Sequence, residues 1–248
     1  MLTAYFEKIQ EKLELVLEQE KKSMEIAAEK VSNSIQANGI IHLFGCGHSH
    51  MLTEEMFYRA GGLAPVKPIF IEELMLHKGA VKSSYLERQN NYAEGFIYNQ
   101  DIHSNDVVFV ISTSGINPVP IDVAIHSKKQ GAYVVGMSSF HYVDGKASRH
   151  KSGNFLSEVV DLALNNHVTK GDAALYYENS PVPFGPTSTV IGTTMLNAIF
   201  AEAIKMMINV GHEAPVFLSG NIEGAEEHNQ KLIETYHDRI PLLKFDKK

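Results

Sequence analysis

Five apolar residues, Val107 to Ile111, run without a break into Ser112-Thr113-Ser114-Gly115, and Pro118 then opens a helix-like segment that stops at Gly131. A run that is apolar at every position has no solvated face, so it reads as a strand buried on both sides. Proline is tolerated in a first helical turn, and glycine is favoured just past the last one. Strand, tight polar turn and helix in that order form half of a βαβ unit, and such units build parallel sheets.

The same order recurs along the chain. Residues 3 to 37 carry Phe6, Ile9, Leu13, Val16, Leu17, Met24, Ala27, Val31 and Ile35 at helical steps, and Asn38-Gly39 supplies a stop. A first strand, 40 to 44, leads into Gly45-Cys46-Gly47 and a helix over 50 to 60 closed by Gly61-Gly62. A second strand spans 66 to 71, and 74 to 104 reads as helix with turns. Beyond the helix 118 to 130, strands are expected at 133 to 137 and 159 to 164 and helices at 189 to 209 and 222 to 239. The Pro-rich stretch 180 to 186 reads as a structured loop, not a domain boundary. The expected fold is a three-layer α/β/α sandwich with a five-stranded parallel sheet and helical additions at both ends, in one domain over 1 to 248.

Composition narrows the function classes. Lysine plus arginine number 22 against 29 aspartates and glutamates, a net charge of −7 with no basic run. That argues against nucleic acid or an anionic membrane as partner. The single cysteine, Cys46, excludes an internal disulfide framework. A charged first segment, with no apolar run of membrane-spanning length evident, points to the cytoplasm.

Two expected strand ends carry small polar residues, Gly45-Cys46-Gly47-His48-Ser49 and Ser112 to Asn117. In an open parallel sheet ligands sit beyond the carboxyl ends of the strands, where strand order reverses. With order 2-1-3-4-5, both loops flank that crevice. Hydroxyls, backbone N–H groups and a helix amino end together hold a phosphate without a lysine or arginine. Other phosphate and nucleophile motifs fail on spacing. His50 stands where a dinucleotide fingerprint needs glycine, no Gly-Lys-Ser/Thr triplet occurs, and Ser112 replaces the first glycine of a nucleophile elbow.

At these residues the chain resembles the sugar isomerase (SIS) domain family. Ser112, Thr113, Ser114, Gly115 and Asn117 match its phosphate loop, and Ser49 matches the serine of its first-strand loop. The resemblance covers about residues 35 to 210. It implies phosphosugar binding through Ser49, Ser112, Thr113, Ser114, Gly115 and Asn117, with Gly47 and His48 beside them. Gly185-Pro186-Thr187-Ser188-Thr189 is similar to a segment of arabinose-5-phosphate isomerases, which adds Thr187 and Ser188 to the expected substrate site. The segment 220 to 230 resembles the last helix of N-acetylmuramic acid 6-phosphate etherases. Phosphoheptose isomerases carry a histidine and a glutamate where this chain has Glu55 and Arg59, so their acid–base set does not transfer.

Aldose–ketose isomerisation needs a base with a pKa near working pH and a group that shuttles protons between oxygens. His77, Glu73 and Glu87 are the expected acid–base residues, all between strands two and three. Glu87 sits in the polar run Glu87-Arg88-Gln89-Asn90-Asn91, which by itself suggests a solvated face. The twelve histidines show no metal-ligand spacing, so no metal or cofactor is expected. The expected partner is a phosphorylated sugar or amino sugar, and the expected reaction is its isomerisation. An amino-sugar-phosphate lyase or etherase and a non-catalytic phosphosugar sensor are the alternatives. The apolar faces of the first and the 189 to 209 helices exceed what one sandwich covers, which points to a homodimer or homotetramer.

Overall fold

The computed structural model describes residues 1–143 and 147–245. Its sheet has five parallel strands in the order β2-β1-β3-β4-β5. These are β1 (Ile41–Gly45), β2 (Val66–Pro68), β3 (Val107–Ile111), β4 (Tyr133–Ser138) and β5 (Leu162–Asn165). β1 and β3 are buried at every position. Alternate side chains feed two separate cores, as the two-residue period of a strand requires. Ile41, Leu43, Val107, Phe109 and Ile111 face one layer. Phe44, Val108 and Val110 face the other.

The first layer is built by α1 (Leu2–Gln36), α2 (His50–Met56) and α7 (Ser188–Asn209). Val31 and Ile35 of α1 and Ile199, Phe200 and Ala203 of α7 are buried there. α7 is the one element whose length and apolarity would suffice to cross a membrane, contrary to the expectation that no such run exists. Its apolarity belongs to the core: Ile191, Met195, Leu196 and Met207 are also buried in this layer. The amino-terminal half of α1 is different, with Phe6 and Leu17 exposed. The second layer is built by α3 (Ala80–Leu86), α4 (Glu94–Ile97), α5 (Pro118–Lys129) and α6 (Leu156–Val159). α8 (Ala225–Tyr236) closes the chain against a small cluster around Ile40 and Phe217.

Several element boundaries differ from expectation for local reasons. α2 ends at Met56, not near residue 60, because Phe57 turns extended and Tyr58 packs edge-on against Phe217 at 5.1 Å. β2 ends at Pro68, which has no N–H to extend a ladder. β5 starts at Leu162 because Leu156–Val159 forms a helical turn over Gly136, where Val160 and Leu156 leave no room for a Cβ. α8 starts at Ala225 because Gly224 takes a left-handed φ of +80°.

At the amino ends of the strands lies a buried ionic cluster. Asp106 accepts hydrogen bonds from Ile40 N at 2.7 Å, His103 N at 2.7 Å and both Arg239 terminal nitrogens at 3.0 and 2.8 Å. His42 Nε2 lies 3.1 Å from the same carboxylate, and neither side chain is reached by solvent. Although burial opposes it, the His42, Arg239 and backbone hydrogen bonds hold the Asp106 carboxyl well below the usual range. An ionised Asp106 only accepts, so His42 carries its proton on Nε2.

Candidate functional site

Register places the two polar loops side by side. Gly45 pairs with Ile111 as the last rung of the β1–β3 ladder, so the chain leaves both strands at one level. This is the point where strand order reverses, the usual ligand crevice of an open parallel sheet. A cavity of about 480 Å³ opens there, lined by Gly47, His48, Ser49, Ser112, Thr113, Ser114 and Asn117, with Glu87 and Ser188 on its walls. Small-molecule sites span roughly 300–1,000 Å³. A larger groove, about 900 Å³, runs between α8 and the final turn past Tyr58, Ile233 and Phe245. It lies away from the strand ends, and no loop converges on it.

The Ser112–Gly115 turn keeps donors open. Ser112 N bonds Met137 O and Gly115 N bonds Ser112 O, while among the described residues no partner meets the N–H groups of Thr113 and Ser114. Gly115 has φ +62°, and a Cβ there would meet the Ser138 Cβ at 3.1 Å, so the turn requires glycine. Gly115 shapes the turn from behind and does not line the cavity. The amino end of α5 contributes less than expected. Pro118 and Pro120 lack N–H groups, and Val119 N is taken by Glu87 O at 3.2 Å. Its dipole points at the loop without free donors of its own.

Glu87 corrects the solvated reading of its run. It follows α3, is half-buried, and accepts the Asn117 side-chain amide at 2.8 Å. Burial pushes its carboxyl above the ordinary 4.5, with Asn117, Arg88 and Arg149 partly opposing the rise. Asn117 in turn accepts Arg149 Nη1 at 2.7 Å. Both poles of the Asn117 amide are thereby used within the protein. Cys46 is buried beside this group, and burial pushes its thiol up.

The remaining expected residues fall elsewhere. Glu73 and His77 are exposed on short 3₁₀ turns outside the cavity wall. Thr187 is buried and also stays off the wall. Ser188 lines the cavity, but its hydroxyl donates to Asp172 Oδ2 at 2.6 Å. Asp172 Oδ1 accepts Thr187 N at 2.8 Å and Ser188 N at 3.1 Å. The start of α7 is thus already capped by an internal carboxylate. Asp172 was not expected from the sequence, and its only signal is the Gly171-Asp172 pair shortly after β5. Tyr142 and Asn166 also line the cavity unannounced. Glu87 and Asp172 are its two carboxylates, and among the described lining residues there is no lysine or arginine. No group of three or more histidine, cysteine, aspartate or glutamate side chains able to hold a metal ion occurs among the described residues.

The SIS domain model matches residues 4–139, which include both polar loops. The chain belongs to the SIS domain family. This SIS protein is 61% identical over 246 residues to the UPF0309 protein of Halalkalibacterium halodurans, covering 99% of this chain and 98% of that one. It is 53% identical to the UPF0309 protein of Listeria innocua, covering 93% and 94%. Among solved structures it is similar to an E. coli CFT073 protein in complex with a phosphosugar, with TM-score 0.54, 14% identity and coverage of 84% and 89%. The phosphoheptose isomerase GmhA of Neisseria gonorrhoeae gives TM-score 0.51, 15% identity and coverage of 83% and 96%. At such identities these two likenesses describe the fold that this SIS protein shares.

Proposed function

We propose that the cavity binds a phosphorylated sugar and that Glu87 moves a proton between adjacent carbons of it, an aldose–ketose isomerisation. The observation that carries the reading is the pairing of Gly45 with Ile111, which brings the hydroxyls of Ser49 and Ser112–Ser114 beside one half-buried carboxylate. The open N–H groups of Thr113 and Ser114 and the neighbouring hydroxyls take the phosphate. A carboxylate whose pKa is raised by burial is a stronger base than a solvated one. It removes the C–H proton next to the carbonyl and returns it to the neighbouring carbon, while a hydroxyl proton passes between the two oxygens. The shared fold with a protein solved with a phosphosugar and with a phosphoheptose isomerase supports the substrate class.

A second reading, a phosphosugar sensor without turnover, has its own support. Of the three acid–base residues expected, Glu73 and His77 lie off the cavity wall, which leaves Glu87 without an evident shuttle. The exposed apolar residues of α1 also suit a homodimer or homotetramer.

A panel of sugar phosphates, read first by thermal shift and then by proton NMR, tests the proposal. Stabilisation with aldose–ketose interconversion supports the isomerase. Stabilisation without interconversion selects the sensor. Binding of phosphosugars by a folded Ser114→Ala variant as tightly as by wild type would overturn the phosphate-loop assignment.

A further inference from the structure

Three side chains lie head to tail at the edge of the cavity: Arg149 Nη1 donates to Asn117 Oδ1 at 2.7 Å, and Asn117 Nδ2 donates to Glu87 Oε1 at 2.8 Å. A guanidinium can only donate and an ionised carboxylate can only accept. Turning the amide over would set its oxygen against the carboxylate and its NH2 against the cation. Charge at both ends therefore fixes which way Asn117 points.

Arg149 is itself held in place from three sides. Its backbone N–H donates to Ile116 O at 2.9 Å, inside the polar loop. The next residue, His150, is buried and places Nε2 2.9 Å from Asp122 Oδ1 on α5. The other oxygen of Asp122 accepts Asn91 N at 3.0 Å, in the turn that carries Glu87. One buried carboxylate thus ties the Arg149 loop and the Glu87 turn to the same helix.

We propose that Arg149 is a positioning residue: by holding the Asn117 carbonyl oxygen it keeps the amide NH2 on Glu87 and that carboxylate aimed into the cavity. Asn117 is then the link between a cation outside the wall and the acid inside it, and its side chain is not a phosphate ligand. The inference rests on the reading of Glu87 as the site's base, but its test needs no sugar.

Carbon-13 labelling of glutamate side chains lets NMR follow the Glu87 carboxyl through a pH titration. The groups facing it, Arg88, Cys46 and Arg149, are unchanged except where stated. Asn117→Ala removes the donor and is expected to raise the Glu87 midpoint by roughly half a pH unit or more. Arg149→Met is expected to raise it comparably in the wild-type background and to add little in the Asn117→Ala background. Arg149→Lys still offers one donor to the Asn117 oxygen, so its midpoint stays near that of wild type. Equal rises from Arg149→Met in both backgrounds, or none in either, would overturn the proposal. So would an Arg149→Lys midpoint that moves as far as that of Asn117→Ala. The Lys comparison carries the test if the Met variant does not fold. A failed sugar-phosphate panel would leave these titrations readable and would count only against the reading of Glu87 as base.

Discussion

Asp172 Oδ2 accepts the Ser188 hydroxyl at 2.6 Å, so a carboxylate from the loop after β5 caps a helix that begins sixteen residues later. The same carboxylate takes Thr187 N and Ser188 N. An acid at a helix amino end satisfies orphan N–H groups and meets the positive end of the helix dipole. Asp172→Ala is expected to lower stability by about 1 kcal/mol. Urea denaturation checks this, and an unchanged midpoint would mean that the start of α7 is held by packing alone.

Turnover is expected to follow the ionisation of Glu87. Burial raises its carboxyl above 4.5, so the acid limb of a pH–rate profile lies higher than for a solvated glutamate. Activity increases with pH through that limb as the base form accumulates. Glu87→Gln keeps the shape and the bond to Asn117 but removes the base. Steady-state kinetics on an accepted sugar phosphate should show a loss of about 10²–10⁴-fold, with binding retained in calorimetry.

Gly115→Ala is expected to damage both stability and binding. At φ +62° a Cβ costs about 1–2 kcal/mol, and this one also meets Ser138. The strain falls on the turn that presents Thr113 and Ser114, so thermal stabilisation by a sugar phosphate should shrink along with the unliganded melting temperature. A variant with wild-type values for both would show that the turn tolerates another backbone shape.

Acid should loosen the cluster at the far end of the sheet. Burial holds the His42 pKa below 6.5, so the unfolded chain takes up a proton there before the folded one does. Stability from His42 is complete above about pH 6.5 and falls as the pH drops below it. Asp106, held far below 3.8, adds a second loss beginning near that pH. Glu87, pushed up, acts in the opposite sense between its two values. Melting temperatures measured from pH 7 to 5 should decline in wild type and decline less in His42→Leu. Parallel curves would remove His42 from the account.

Much of this architecture is legible in the residues alone. β1 and β3 are apolar at every position because both faces are covered, and that pattern has few other meanings. The order of the sheet follows from the run of short strands and helices, and with it the meeting of two polar loops. Glu87 was harder. Its neighbours Arg88, Gln89, Asn90 and Asn91 read as a wet face, yet Val119 N and the Asn117 amide draw it in beneath α5. Those bonds join residues some thirty positions apart, and no local pattern announces them. Asp172 gives even less notice, because a short carboxylate after a glycine marks an ordinary turn until the start of α7 is seen beside it. The membrane-like length of α7 is the reverse case, an apolar run whose meaning depends on α1 lying across it.

Arg239 comes after the last long helix, yet its guanidinium grips Asp106 with two nitrogens and Asp101 with a third. The closing stretch is therefore a rivet through the floor of the domain. Shortening the polypeptide ahead of residue 239 would strand a carboxylate that water does not reach. For anyone preparing this protein, the carboxyl terminus is the wrong place to trim.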